Sequence, residues 1–341
     1  MKKLLETLYI LTPDSYVYHR NENICVSIGG AEKASIPISQ IHSIVFFGKN
    51  TASTSLFGFC GNHDVTISFL DQFGSFEGRL CGKVSGNVLL RKRQYDQLRN
   101  QHMMNITVRS ILYAKLLNGK QLMMRYARNS KTEEGKQALS QSASALAVLA
   151  SELEQCTSID AMRGVEGAAA NEYFSQFDRM LGDNIEFSFK ERSRRPPKNE
   201  VNAVLSFLYT QLTHDVVAAL ETVGLDPAVG YLHTLRPGRP SFALDLMEEF
   251  RSPLCDRLTI TLFNRKQLAS KHFEAQGEGI YLNDKGRREV LSAWRSRKLE
   301  EITHPFLNEK IPIGLIPYTQ AMLFARVLRG DLDQYPPFIW R

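Results

Sequence analysis

The sequence predicts an α+β protein, with an N-terminal β-strand domain followed by a larger all-α C-terminal domain. Three observations carry that expectation. Residues 4–80 alternate apolar and polar side chains with a period of two and are rich in β-branched and aromatic residues. Polar turns interrupt them at short intervals. From about Leu89 the apolar period lengthens to that of a helix. The boundary is expected near residues 80–95, which gives domains 1–85 and 86–341.

The strands follow in order. Leu4–Leu11 ends at the turn Pro13-Asp14, and Tyr16–His19 ends at Asn21-Glu22-Asn23. Ile24–Ile28 leads through Gly29-Gly30 to Ser35–Ile38, and the run Ile41–Phe47 follows. Ser53–Cys60 has a short helical option. Val65–Leu70 and Phe73–Leu80 close the β region. The helical part begins with Gln94–Leu117 and Lys136–Gln155. A third helix is opened by Thr157 or Ser158 and runs to about Leu181, with Asp160 in its first turn. Glu200–Val223 is closed by Gly224. A helix capped by Ser241 runs to Phe250 and on toward Leu268, and Asp284–Glu301 and Pro317–Arg329 complete the set. The tail after Gly330 is broken by prolines and aromatic, so it should pack on the helices without forming an element.

Composition is that of an ordinary globular chain, with 43% hydrophobic and 23% charged residues. The net charge is +6, and its distribution is uneven. Residues 91–131 hold ten Lys/Arg against Asp96 alone, whereas residues 1–90 balance and residues 132–341 are slightly acidic. A surplus focused this way points to a polyanion-binding surface; a solvated amphipathic helix is the plainer alternative. The five cysteines, Cys25, Cys60, Cys81, Cys156 and Cys255, are odd in number and lack CxxC spacing. They read as reduced thiols in a cytoplasmic protein, not as a disulfide or zinc framework. No run of 18 apolar residues is present, so no membrane partner is expected.

Two stretches concentrate chemistry. In TSIDAMRGVEGAAANEYF, Glu166 sits among Gly164, Gly167, Ala168, Ala169 and Ala170. Two glycines within a helix cost roughly 1 kcal/mol each, which suits a place where a backbone or ligand comes close. A tight helix–helix crossing would explain them equally. The second stretch, GLDPAVGYLHTLRPGRPSFALDLMEEFR, places His233 before a loop with Arg236 and Arg239. Asp245 and Glu248 then share a helix face beside the apolar face of Phe242, Leu246 and Phe250, and Arg251 follows. Each part alone has an ordinary structural explanation. Together they supply oxygen ligands, an imidazole and phosphate-holding cations, the needs of a Mg²⁺ or Mn²⁺ nuclease centre.

The motifs RGVEGAAANEYF, NEVNAVLSFLYTQL, GLDPAVGYLH and RPSFALDLMEEFR, and the ending THPFLNEKIPIGLIPYTQA…LRGDLDQYPPFIW, occur in this order along the whole chain. The sequence thereby resembles the CRISPR-associated adaptation integrases, the "Cas-one" family, and most of all their subtype I-C branch. The resemblance implies that Glu166, His233 and Glu248 bind one Mn²⁺ or Mg²⁺, with Asp245 at the catalytic site in a supporting role. It implies an N-terminal β domain used for dimerisation, homodimers, and a hetero-hexamer with the small "Cas-two" partner. The substrate would be double-stranded DNA, protospacer and repeat, joined by attack of a 3′-hydroxyl on a phosphodiester. Arg91, Lys92, Arg93 and Arg99 would track its backbone, with Arg163, Arg194, Arg195, Arg236, Arg239 and Arg251 as further DNA contacts. His233 must be neutral to ligate, so activity should fall at low pH. Tyr209 and Tyr173 fit either the site or the core. The alternatives are a stand-alone metal-dependent nuclease for branched or repair DNA and a non-catalytic DNA-binding scaffold.

Overall fold

The structure is a computed structural model that describes residues 6–70, 76–80, 82, 88–182 and 186–340. The predicted strand residues 4, 5 and 73–75, and Cys81, lie outside the described residues. The chain divides into two compact units, Met1–Ser85 and Gly86–Arg341.

In unit 1 the strands are β1 (Glu6–Ile10), β2 (Ser15–Arg20), β3 (Asn23–Ile28), β4 (Ala31–Pro37), β5 (Ile41–Phe47) and β6 (Thr51–Ala52). Helix α1 (Thr54–Asn62), β7 (Thr66–Leu70) and β8 (Phe76–Leu80) follow. One sheet has the order β1-β5-β7-β8, with β5 parallel to both neighbours. The other has the order β4-β3-β2-β6. The near-continuous apolar run of β5 suits an interior parallel strand, and Ile44, Val45, Phe46 and Phe47 are all buried. Ser53 resolves the ambiguous segment toward helix. Its hydroxyl accepts the Leu56 N–H at 3.2 Å and caps α1. Leu56 and Cys60 then turn inward onto a core with Val17, Ile24 and Ile67.

Unit 2 is mainly helical. It contains α2 (Val88–Gln97), α3 (Gln101–Asn129), α4 (Glu133–Glu152), α5 (Ile159–Ser175) and α6 (Glu200–Val223). The predicted single helix Gln94–Leu117 is therefore two helices. Asn100 divides them, because its carboxamide accepts the Met103 N–H at 3.1 Å and starts a new helix. Ser158 caps α5 by accepting the Ala161 N–H, and Asn199 caps α6 by accepting that of Asn202. Gly224 ends α6 at φ 89°, a left-handed conformation that glycine adopts without strain. By length and composition α6 would also be long and apolar enough to cross a membrane. Yet 67% of its most apolar window is buried inside the protein, as suits a core helix.

The predicted helix from Ser241 to Leu268 is not one regular helix. It comprises α7 (Ser241–Leu246), a 3₁₀ turn (Met247–Glu249), a π turn (Arg251–Asp256) and α8 (Arg257–Asn264). Pro253 has no N–H to give, which interrupts the i→i−4 ladder where the π turn forms. Ser241 is not the cap either: that place falls to Pro240, and the Ser241 hydroxyl donates to Thr234 O. Two hairpins that the all-α expectation missed, β9–β10 (Phe273–Gln276, Gly279–Leu282) and β11–β12 (Glu301–Thr303, Lys310–Pro312), flank α9 (Asp284–Leu299). Helix α10 (Ile316–Arg329) ends at Gly330.

The tail does dock, through a buried acid. Glu249 Oε2 accepts the Phe338 N–H at 2.7 Å and Gln320 Nε2 at 3.2 Å. Asn118 on α3 donates to both Glu249 O and Phe338 O, and accepts the Trp340 N–H. Burial pushes the Glu249 carboxyl from 4.5 up to about 8 despite these donors, so it is mostly protonated at neutral pH. Its folded value exceeds the unfolded one. The associated stability is therefore fully present below about pH 4.5 and lost as pH rises through about 8. Between pH 6.5 and 9 the loss should be about 2 kcal/mol. Glu249→Gln, which mimics the neutral acid, should melt at a temperature that changes less over that range; thermal denaturation at both pH values checks it.

Candidate metal centre

The centre is assembled in unit 2 from three elements and a loop: Lys115 on α3, Glu166 on α5, Glu248 in the 3₁₀ turn after α7, and His233 in the loop before α7. The Lys115 ammonium pairs with Glu166 Oε1 and, at 2.9 Å, with Glu248 Oε2. Arg251 Nη1 holds the other Glu248 oxygen at 2.8 Å. Glu248 is almost wholly buried, which raises the carboxyl's pKa. Arg251, Lys115 and His233 more than offset that effect and hold it at about 2. Arg251 also feels the charge of Glu166.

His233 is fixed by Asp245. One carboxylate oxygen of Asp245 accepts the N–H groups of Tyr231 and Leu232 at 2.6 and 2.9 Å. The other accepts His233 N at 2.8 Å and His233 Nδ1 at 2.7 Å. An ionised carboxylate only accepts, so Nδ1 carries the proton, and in the neutral imidazole Nε2 then holds the lone pair. With four donors on its two oxygens, Asp245 has no capacity left for a metal or substrate. The sequence placed Asp245 and Glu248 on a helix face that offers carboxylates beside a buried one. Both are buried, and Asp245 is a positioning residue. Arg163 secures the same loop by donating Nε and Nη2 to Leu232 O, and pairs with Asp160 at 2.5 Å. Gly230 is required here, because a Cβ would lie 2.6 Å from that of Ser241.

No other part of the chain comes close to Gly164 or Gly167 among the described residues: a Cβ at either position would meet nothing within 4 Å. Helix crossing is therefore not their purpose, and the surface around Glu166 is left open at those positions.

Behind the centre, the π turn brings Asp256 to two phenols. Tyr173 and Tyr209 donate to its two oxygens at 2.9 and 2.7 Å. The Arg251 and Arg192 guanidiniums lie 5.0 and 5.3 Å from the Tyr209 ring centroid. Burial lifts the Asp256 carboxyl to about 6. Both tyrosines thus anchor Asp256, and the Tyr209 ring lies beside Arg251.

The basic residues divide sharply. Arg91 Nε donates to Gly224 O at the end of α6, and Arg93 Nη1 to Leu328 O and Arg329 O at the end of α10. These are cations satisfying the last carbonyls of helices. Arg251 is engaged by Glu248 and Tyr209. Lys92, Arg99, Arg194, Arg195 and Arg236 are exposed, and Arg239 is half-buried. Lys115 escaped the sequence reading, though its signal was present: a lone cation among Ile111, Leu112, Ala114 and Leu116, all buried. Asp256 gave no such signal, since only the π turn aims it at the tyrosines.

Among the described residues, no three His, Cys, Asp or Glu side chains stand close enough to cage a metal as they are. Their chemistry nonetheless fits a hard divalent cation. Two carboxylates already share one half-buried cation, and the His233 imidazole is held by a carboxylate, an arrangement common behind metal-ligating histidines.

Carboxylates and an imidazole are the donors that metal-dependent phosphodiester chemistry uses. Residues 8–296 match the family model described as CRISPR associated protein Cas1. The chain is 44% identical to the CRISPR-associated endonuclease Cas1 of Moorella thermoacetica, over all of both chains. A Cas1 protein from Thermotoga maritima superposes with a TM-score of 0.80 at 25% identity, covering 96% of this chain and 97% of that one. The fold also recurs in a casposase bound to integration product, with TM-score 0.83, 18% identity, and 99% and 95% coverage. It recurs again in a Cas6-RT-Cas1–Cas2 complex, with TM-score 0.83, 21% identity, and 100% and 36% coverage. The chain belongs to the Cas1 family, and it is an endonuclease.

Proposed function

We propose that this endonuclease is the adaptation integrase of a subtype I-C CRISPR system, and that Glu166, His233 and Glu248 are its metal ligands. The observation that supports the site is the cluster itself: Glu166 and Glu248 share one cation, and Asp245 orients the His233 imidazole from the segment that also carries Glu248. The integrase and subtype readings rest on the ordered motifs, and a similar fold is known bound to integration product.

Mn²⁺ or Mg²⁺, when bound, supplies Lewis-acid polarisation of the scissile phosphate. The chain's own residues do the rest. Asp245 holds the imidazole so that Nε2 stays a lone-pair donor. Arg251 keeps Glu248 ionised and fixed in direction. Arg236 and Arg239, in the loop after His233, hold phosphates beside the cut, while exposed Lys92, Arg99, Arg194 and Arg195 add salt-sensitive backbone affinity. In the reaction a 3′-oxygen forms a bond to phosphorus and the bond to the target strand's 3′-oxygen breaks, leaving a new 3′-hydroxyl. Water in place of the attacking hydroxyl gives cleavage at the same centre. Unit 1 mediates a homodimer in the cytoplasm, and two dimers join a Cas2 dimer on double-stranded DNA. A Cas1–Cas2 assembly of similar fold supports that partner.

Strand transfer of a labelled DNA 3′ end into a repeat-bearing plasmid tests the reading. It should require Cas2 and a divalent metal, and His233→Ala should abolish it. Cleavage without any strand transfer would favour a stand-alone nuclease. Full activity of His233→Ala would favour a scaffold whose site is not catalytic.

A further inference from the structure

Lys115 is the residue that the assignment of ligands leaves unexplained. Its side chain is only 16% exposed, and its ammonium pairs with Glu166 Oε1 and Glu248 Oε2, on the two carboxylates proposed as ligands. The root of the side chain is anchored. One turn further along α3, Asn118 donates to Glu249 O and Phe338 O and accepts from Trp340 N. Only the flexible four-carbon stem can move. Arg251 already engages Glu248 Oε1. With Lys115 and Arg251 in place, the charges of Glu166 and Glu248 are fully balanced. A dication entering the same oxygens would meet an ammonium in direct contact with both, so the two cations compete.

We propose that Lys115 is the placeholder cation of the metal centre: its ammonium holds Glu166 and Glu248 together without metal and must leave when a divalent ion binds. The role is one of positioning. Two buried or half-buried carboxylates facing each other would otherwise repel, and a fixed cation keeps them converged. Metal affinity is set by the exchange of one cation for another. The proposal rests on Glu166 and Glu248 being metal ligands, and its test separates the two claims.

The test measures Mn²⁺ binding to the full-length protein without DNA, from the loss of the free-ion electron paramagnetic resonance signal. Lys115→Met keeps the stem and removes the charge. It should bind Mn²⁺ at least about tenfold more tightly than the unaltered protein, roughly the effect of removing one competing contact. Without metal it should melt at a lower temperature, and Mn²⁺ should restore that loss. Lys115→Arg, which keeps a cation there, should bind no more tightly than the unaltered protein. Mn²⁺ affinity of Lys115→Met equal to or weaker than that of the unaltered protein overturns the proposal. Mn²⁺ binding that survives Glu166→Gln overturns the ligand assignment instead.

If Lys115→Met does not fold, the unaltered protein still decides. Acylation of Lys115 by an amine-directed reagent, read by mass spectrometry, should be slow without metal and accelerate on adding Mg²⁺. An unchanged rate contradicts the exchange.

Discussion

Glu166→Gln should lower Mn²⁺-dependent cleavage and strand transfer by about 10³-fold or more. Removing one ligand of a catalytic ion forfeits several kcal/mol of transition-state charge stabilisation, and each 1.36 kcal/mol is tenfold in rate. Stability should change little by comparison. The Glu166 side chain is 29% exposed, and Lys115 has a second partner in Glu248, 2.9 Å away. A partly solvated ion pair of this kind contributes about 1 kcal/mol or less. Single-turnover cleavage of duplex DNA, beside a thermal melt, separates the two effects. Activity within tenfold of the unaltered protein would remove Glu166 from the centre.

Asp245→Asn should cost both fold and function. Four donors converge on the carboxylate: three successive backbone N–H groups, of Tyr231, Leu232 and His233, and the imidazole Nδ1. A carboxamide turns one acceptor oxygen into an NH₂ group, which then faces donors in a fully buried position. Leaving buried donors unpaired costs about 1–3 kcal/mol each, so a loss of about 3 kcal/mol is expected. The imidazole also loses the acceptor that fixes its tautomer. Activity at a temperature where the variant is folded should fall by about 10–100-fold, the usual effect of losing the partner behind a ligating histidine. Chemical denaturation and cleavage rates under matched conditions measure the two losses.

Much of this was legible in the sequence because it depends on local rules. The period change near Leu89, the Gly224 stop and the cap of α5 follow from propensity and hydrogen-bonding capacity. Each appears in the structure within the expected segment. Where the expectations failed, a non-local or finely balanced effect decided. Asn100 split one apparent helix into two because a side-chain cap competes with helix continuation. The segment from Ser241 changes its winding at the turn Met247–Glu249 and again around Pro253, and Asp245 and Glu248 are buried where the spacing suggested an open carboxylate face. Glycines at 164 and 167 looked like a packing surface, yet no described residue packs there. Ten basic residues in one stretch looked like a DNA track, but Arg91 and Arg93 hold helix ends and Lys115 lies inside the centre. Sequence alone counts charges; it does not say which of them a carbonyl or a carboxylate has already claimed. The tail showed its aromatic residues, but not that its anchor is a carboxyl kept protonated by burial.

The most direct measurement is an anomalous difference map from crystals of the full-length protein grown with Mn²⁺. One strong peak is expected within about 2.4 Å of a Glu166 oxygen, a Glu248 oxygen and His233 Nε2, with the Lys115 ammonium withdrawn from both carboxylates. A peak that lacks any one of those three ligands, or no peak between them at saturating Mn²⁺, would contradict the assignment.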